Sequence, residues 1–197
     1  MQDLSIRRLG GNCAILIGIS YIVFGVATLL DPAQNASAFW QTHIQSPTLF
    51  LIASWSIVIG AILALAVVPA VAQLLETTSL GWVSWLSKIA YLGFFVTALA
   101  NVQATSIDVL YSSIDPQSWL VIGCVGLWVL GVNVLALRSG KWPKPLAYIG
   151  LVVAFMYGLA LTGNVFEISI LFTIAAGLGG IVLGPIWYIW LGRILRN

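Results

Sequence analysis

The sequence predicts an all-α polytopic membrane protein: six transmembrane helices in one bundle, with the N- and C-termini on the same, inner side. Three observations predict it. Mean hydropathy is +1.04 with only 7% charged residues, which places the 197-residue chain inside a bilayer as a single domain. Apolar runs of about 20 residues, the length needed to cross a hydrocarbon core, alternate with short polar breaks. The third is the basic loop Arg138-Ser139-Gly140-Lys141-Trp142-Pro143-Lys144, which reads as an inner hairpin between two spans.

The first span covers residues 9–30 and stops at Asp31-Pro32. Arg7-Arg8 before it and Ala36-Ser37-Ala38 after it resemble a signal peptide, but the apolar run is longer than such a segment needs, so a retained helix is expected. Gly11, Gly18 and Gly25 recur at seven-residue spacing, near one helical face, and predict close approach by another helix. Residues 31–47 form the first outer segment, where Asp31 caps a short surface helix that lays Phe39 and Trp40 on the interface. The second span, 48–75, opens at Ser46-Pro47, with Pro69 expected to kink its inner end. The third, 81–103, starts with Trp82, Trp85 and Lys88, either as its first turns or as an interfacial approach. Residues 104–116 are the second outer segment, and Asp115-Pro116 repeats the cap-and-proline start for span four, 117–137. Span five covers 145–162. After Gly163, Asn164 and Glu167 have the spacing of a capping pair for span six, 168–191. Within it, Gly180 and Gly184 form a G-x-x-x-G pair expected at a helix interface.

On this layout Arg7, Arg8, Lys88, Arg138, Lys141, Lys144, Arg193 and Arg196 all face inward, with Lys88 reaching the headgroups along its own methylenes. Asp31, His43, Asp108, Asp115 and Glu167 face outward with no Lys or Arg beside them, which orients both termini to the cytoplasm. Tryptophans 40, 82, 85, 119, 142, 187 and 190 all fall near the expected interfaces and read as anchors.

With that layout, the chain resembles the bacterial integral-membrane proteins grouped as domain-of-unknown-function family 4386. The resemblance rests on Arg8-Leu9-Gly10-Gly11 at the start of span one and on the basic Trp/Pro loop before span five. It rests also on the close of the last span, Trp187-Tyr188-Ile189-Trp190-Leu191-Gly192-Arg193. It covers nearly the whole length and implies a six-helix membrane fold without implying a chemistry. Where that family often has an acidic residue in span six, this chain reads Gly184-Pro185-Ile186.

Net charge is +2, with no basic stripe outside the loops, so nucleic acid is not an expected partner. Cys13 and Cys124 lie at different depths, and a disulfide between them is not expected. The outer acids and His43 could gather round a cation, but Asp31, Asp115 and Glu167 each stand at a helix start, where capping accounts for them. No metal site and no cofactor are therefore assigned. No ionisable residue is expected at mid-bilayer, which leaves a proton relay without members. Amides remain: Asn101, Gln103, Asn133 and Asn164 are the candidates for a polar pocket, set against the simpler reading of hydrogen bonding at helix ends and between helices. Catalysis lacks a Ser/His/Asp set, an HExxH pair and a phosphate loop. The expectation is a non-enzymatic accessory or scaffold protein of a bacterial inner or internal membrane. Its partners would be lipids, other membrane subunits or a second copy of itself. The competing expectation is a small transporter, a channel, or a protein that binds a lipid, pigment or quinone.

Overall fold

The computed structural model describes residues 2–30, 47–76, 78–105 and 114–197. Among these it is all-helical, with six helices long and apolar enough to cross a membrane. They are α1 (Gln2–Leu29), α2 (Pro47–Leu75), α3 (Leu80–Ala104), α4 (Trp119–Ser139), α5 (Lys144–Val165) and α6 (Ser169–Arg196). The outer surface helix with Phe39 and Trp40, the Asp31 cap, His43 and Asp108 lie outside the described residues.

The helices form because long apolar runs satisfy every backbone group internally, a requirement in hydrocarbon. Their exposed side chains include Leu16, Ile19, Ile62, Phe95 and Phe155, so the outside of the bundle is as apolar as its core. Such a surface suits lipid and not water.

Several boundaries differ from the expectation. α1 begins at Gln2, so its first turns run ahead of the apolar stretch. Residues 81–88 are the opening turns of α3 and not a separate approach. At the start of α4, Asp115 accepts backbone hydrogen bonds from Trp119 (3.1 Å), Leu120 (2.8 Å) and Val121 (2.8 Å), but the helix opens at Trp119, past Pro116 and the expected residue 117, with Ser118 at φ 61° before it. The first turns it caps, Trp119–Cys124, are π-helical. α4 ends at Gly140, whose φ of 66° a residue with a Cβ would resist, and whose N–H bonds the Ala136 carbonyl at 2.8 Å.

The turn after α5 is a second departure. Gly163 and Asn164 still belong to the helix, and the chain reverses at Glu167, with φ 57°. The expected Asn164–Glu167 capping pair is not made: Ile168 precedes the first helical residue and no side chain caps it. Gly163 explains why. It lies so close to Phe172 that a methyl there would come within 2.6 Å of the Phe172 nitrogen, and the Ile168 N–H bonds the Gly163 carbonyl at 2.7 Å. Backbone groups thus close the turn themselves.

Glycine contacts also set the register. Gly11 lies against Gly192 and Arg196, Gly18 against Pro185 and Ile189, and Gly25 against Ile181, so α1 and α6 run antiparallel in near backbone contact. Gly10 meets Ala66 and Ala70 of α2, Gly93 meets Leu120 and Cys124, and Gly150 meets Asn133. Without a hydrophobic drive between helices in lipid, such close van der Waals approach is what holds them together. Cys13 and Cys124 are both free.

The glycines are not equivalent. A methyl on Gly192 would stand 2.5 Å from the Gly11 carbonyl oxygen, whereas one on Gly180 would meet nothing within 4 Å. Gly192→Ala is therefore expected to cost about 1–3 kcal/mol through overpacking, while Gly180→Ala leaves stability unchanged or slightly raised. Thermal unfolding in mild detergent measures both.

Candidate functional site

The most chemically distinct part of the interior is an aromatic array built around Asn133. Asn133 is fully buried in α4. Its amide nitrogen donates to the Val129 carbonyl at 2.7 Å, and its oxygen accepts from the Trp187 indole Nε1 at 3.2 Å. Gly150 of α5 leaves the space that this amide fills, since a methyl there would overlap it.

From Trp187 the rings continue in both directions. Trp128 lies 6.1 Å away and Phe94 a further 5.5 Å, each edge-on to the next. On the other side Tyr188 is 4.9 Å from Trp187, and Tyr21 is 5.7 Å from Tyr188. Edge-to-face geometry suits the ring quadrupoles, and the array ties α3, α4, α6 and α1 together. At its far end the Tyr21 and Tyr157 hydroxyls meet in a hydrogen bond. The Tyr188 hydroxyl beside them is buried without a hydrogen-bond partner.

This array changes two expectations about tryptophan. Trp187 is not an interfacial anchor, because its indole N–H is spent on Asn133 and none of its surface is exposed. Trp142 is likewise buried, folded into the core after Gly140 turns the chain. Trp82, Trp85 and Trp119 stand on the bundle exterior, 61%, 46% and 53% exposed.

Three of the four pocket candidates have described hydrogen-bond partners, and none of the three bonds another candidate. Asn101 donates to the Thr97 carbonyl of its own helix at 2.9 Å. Asn164 donates to the Ser118 hydroxyl at 3.3 Å, clipping the starts of α4 and the end of α5 together. Gln103 closes α3. Asn133 belongs to the array instead, part way down α4. Intrahelical and interhelical hydrogen bonding therefore accounts for Asn101, Asn133 and Asn164, the three whose partners are described.

Of the expected Gly180–Gly184 interface only Gly184 lies at a helix contact, buried beside Tyr21 of α1, and Gly180 does not, for a geometric reason. Residues Gly177–Leu183 are π-helical, and the Gly184 N–H bonds the carbonyl of Gly179, five residues back. Pro185 follows directly, with no N–H to offer Ile181. In the widened turn Gly179, not Gly180, faces Met156 of α5, and Gly180 is left open. Gly11, Gly18 and Gly25 do lie at a helix contact, but inside the chain, against α6. Among the described residues no group of three or more His, Cys, Asp or Glu could hold a metal.

No protein-family model matches this chain, no curated protein matches it, and no solved structure matches it. The functional reading below therefore rests on the chain's own geometry.

Removing the central amide is the direct test of the array. Asn133→Leu would leave the Trp187 N–H without its acceptor, at a cost of about 1–2 kcal/mol, with a shifted tryptophan emission maximum. Asn101→Leu, which removes only a bond to its own helix, is expected to change neither.

Proposed function

We propose that this protein is a non-enzymatic accessory or scaffold component of a membrane, acting through its outer surface and not through an internal passage. One observation carries this reading: three of the four amides that might line a passage are taken up within the bundle, Asn133 by Val129 and Trp187, Asn101 by Thr97, Asn164 by Ser118. The glycines of α1 are likewise filled from within. What remains unfilled lies outside: Gly158, Gly177 and Gly180 have no neighbour within 4 Å, on spans whose exterior is apolar. Such positions suit the approach of another helix or a lipid chain.

The proposal includes an orientation. The basic residues at the start of α1, in the α4–α5 loop and at the end of α6 favour the cytoplasmic side of a bacterial inner or internal membrane for both termini. Membership of domain-of-unknown-function family 4386 is part of the same proposal, on the motifs quoted above.

A second reading has its own observation. The unpartnered Tyr188 hydroxyl, next to the Tyr21–Tyr157 pair, is a donor in search of an acceptor, as a lipophilic carbonyl ligand such as a quinone would supply.

Native mass spectrometry from mild detergent or nanodiscs separates the two. The accessory reading expects a partner subunit or a defined oligomer that Gly180→Leu removes while the bundle stays folded. A monomer carrying one stoichiometric organic ligand, lost in Tyr188→Phe, would establish the second reading in its place.

A further inference from the structure

The start of α1 and the end of α6 bring four arginines to one end of the molecule. Residues 1–10 and 184–197 contain Arg7, Arg8, Arg193 and Arg196 against a single acidic side chain, Asp3. The two helix ends are held together: the Arg196 stem lies over Gly11, one turn beyond Arg7. Arg7 Nε is buried without a hydrogen-bond partner. A partly buried guanidinium needs an acceptor as well as a counter-charge.

A groove beside them has a matching polarity. It measures about 430 Å³ and is lined by Ile186, Ile189, Trp190, Arg193, Ile194 and Asn197. All six lining residues belong to α6, and Ile189 also lies on Gly18, so the groove runs along α6 beside its contact with α1. Along α6 it runs from the apolar Ile186, through Trp190, to Arg193 and Asn197 at the helix end. Apolar below, aromatic at the interface and cationic above is the order of groups in a phospholipid read from its chain to its phosphate.

We infer that the groove along the end of α6, beside its contact with α1, is a binding site for one anionic phospholipid, with its phosphate held by Arg193 and an acyl chain along Ile186, Ile189 and Ile194. Arginine suits this because its planar fork gives two parallel hydrogen bonds to phosphate oxygens. The inference names a lipid partner for the surface-acting reading and rests on it. Its test uses purified protein without any subunit, so failure here leaves the search for a protein partner unaffected, and the reverse also holds.

The test is native mass spectrometry of the full chain in a nonionic detergent, with dioleoyl phosphatidylglycerol or dioleoyl phosphatidylcholine added at equal concentration. The wild-type protein is expected to retain one phosphatidylglycerol at least about tenfold more than phosphatidylcholine. Arg193→Gln, at an exposed position, should reduce that preference about fivefold. Lys141→Gln/Lys144→Gln, which removes the same charge from the α4–α5 loop, should leave it intact. Equal retention of the two lipids by the wild-type protein would overturn the site. So would an equal loss in the Lys141/Lys144 variant, since net charge alone would then explain the preference, or displacement of phosphatidylglycerol by millimolar inorganic phosphate, which would make a free anion the occupant.

Discussion

The hydrogen bond between the Trp187 indole and Asn133 is the constraint on which much of the interior depends. A buried amide in an apolar bundle must find partners for its oxygen and its nitrogen. Here the nitrogen is met by its own helix and the oxygen by α6, so the requirement becomes a tie between two spans. It fixes the rotation of α6 about its axis. Once Trp187 is fixed, Trp128 and Phe94 pack edge-on to one side and Tyr188 and Tyr21 to the other, and α5 must offer Gly150 where any larger residue would collide.

The glycines supply the complementary constraint. Directional bonds set rotation, whereas close backbone approach sets distance, and in lipid distance governs how much dispersion energy two helices share. The α1–α6 seam is the clearest case, with Gly11 and Gly192 face to face. The first and last helices thereby meet, so the bundle closes on itself instead of leaving two free flanks.

Much of this was legible in the chain. All six spans can be found from hydropathy alone, and Asp115 caps as its position before Pro116 suggests, because capping is decided by a few adjacent residues. The spacing of Gly11, Gly18 and Gly25 marks a true contact face. What could not be read is which side of an apolar helix looks inward, since a helix apolar all round carries no stripe to orient it. Residue type alone therefore places Trp187 and Trp142 at interfaces, although both are core. Gly180 was paired with Gly184 by counting four residues to the turn, in a stretch where the backbone counts five. Asn164 suffered from the neighbouring turn: Gly163 kept the helix going, and the amide reached Ser118, 46 residues earlier in the chain. No local pattern foretells a partner at that separation.

The π-helical stretch at Gly177–Leu183 has a further effect on the angular phase of α6. Each residue of an α-helix advances the side chains by about 100°, and a widened turn absorbs an additional residue without a matching advance. The two halves of α6 are thus out of step with one another: the first half is phased to lay Gly179 on Met156, and the second to bring Pro185, Ile189 and Gly192 onto α1. A straight helix of the same composition could serve either neighbour but not both. The stretch works as a vernier between two fixed surfaces, so a single-residue deletion there would swing Trp187 away from Asn133 even though every remaining side chain in the array kept its identity.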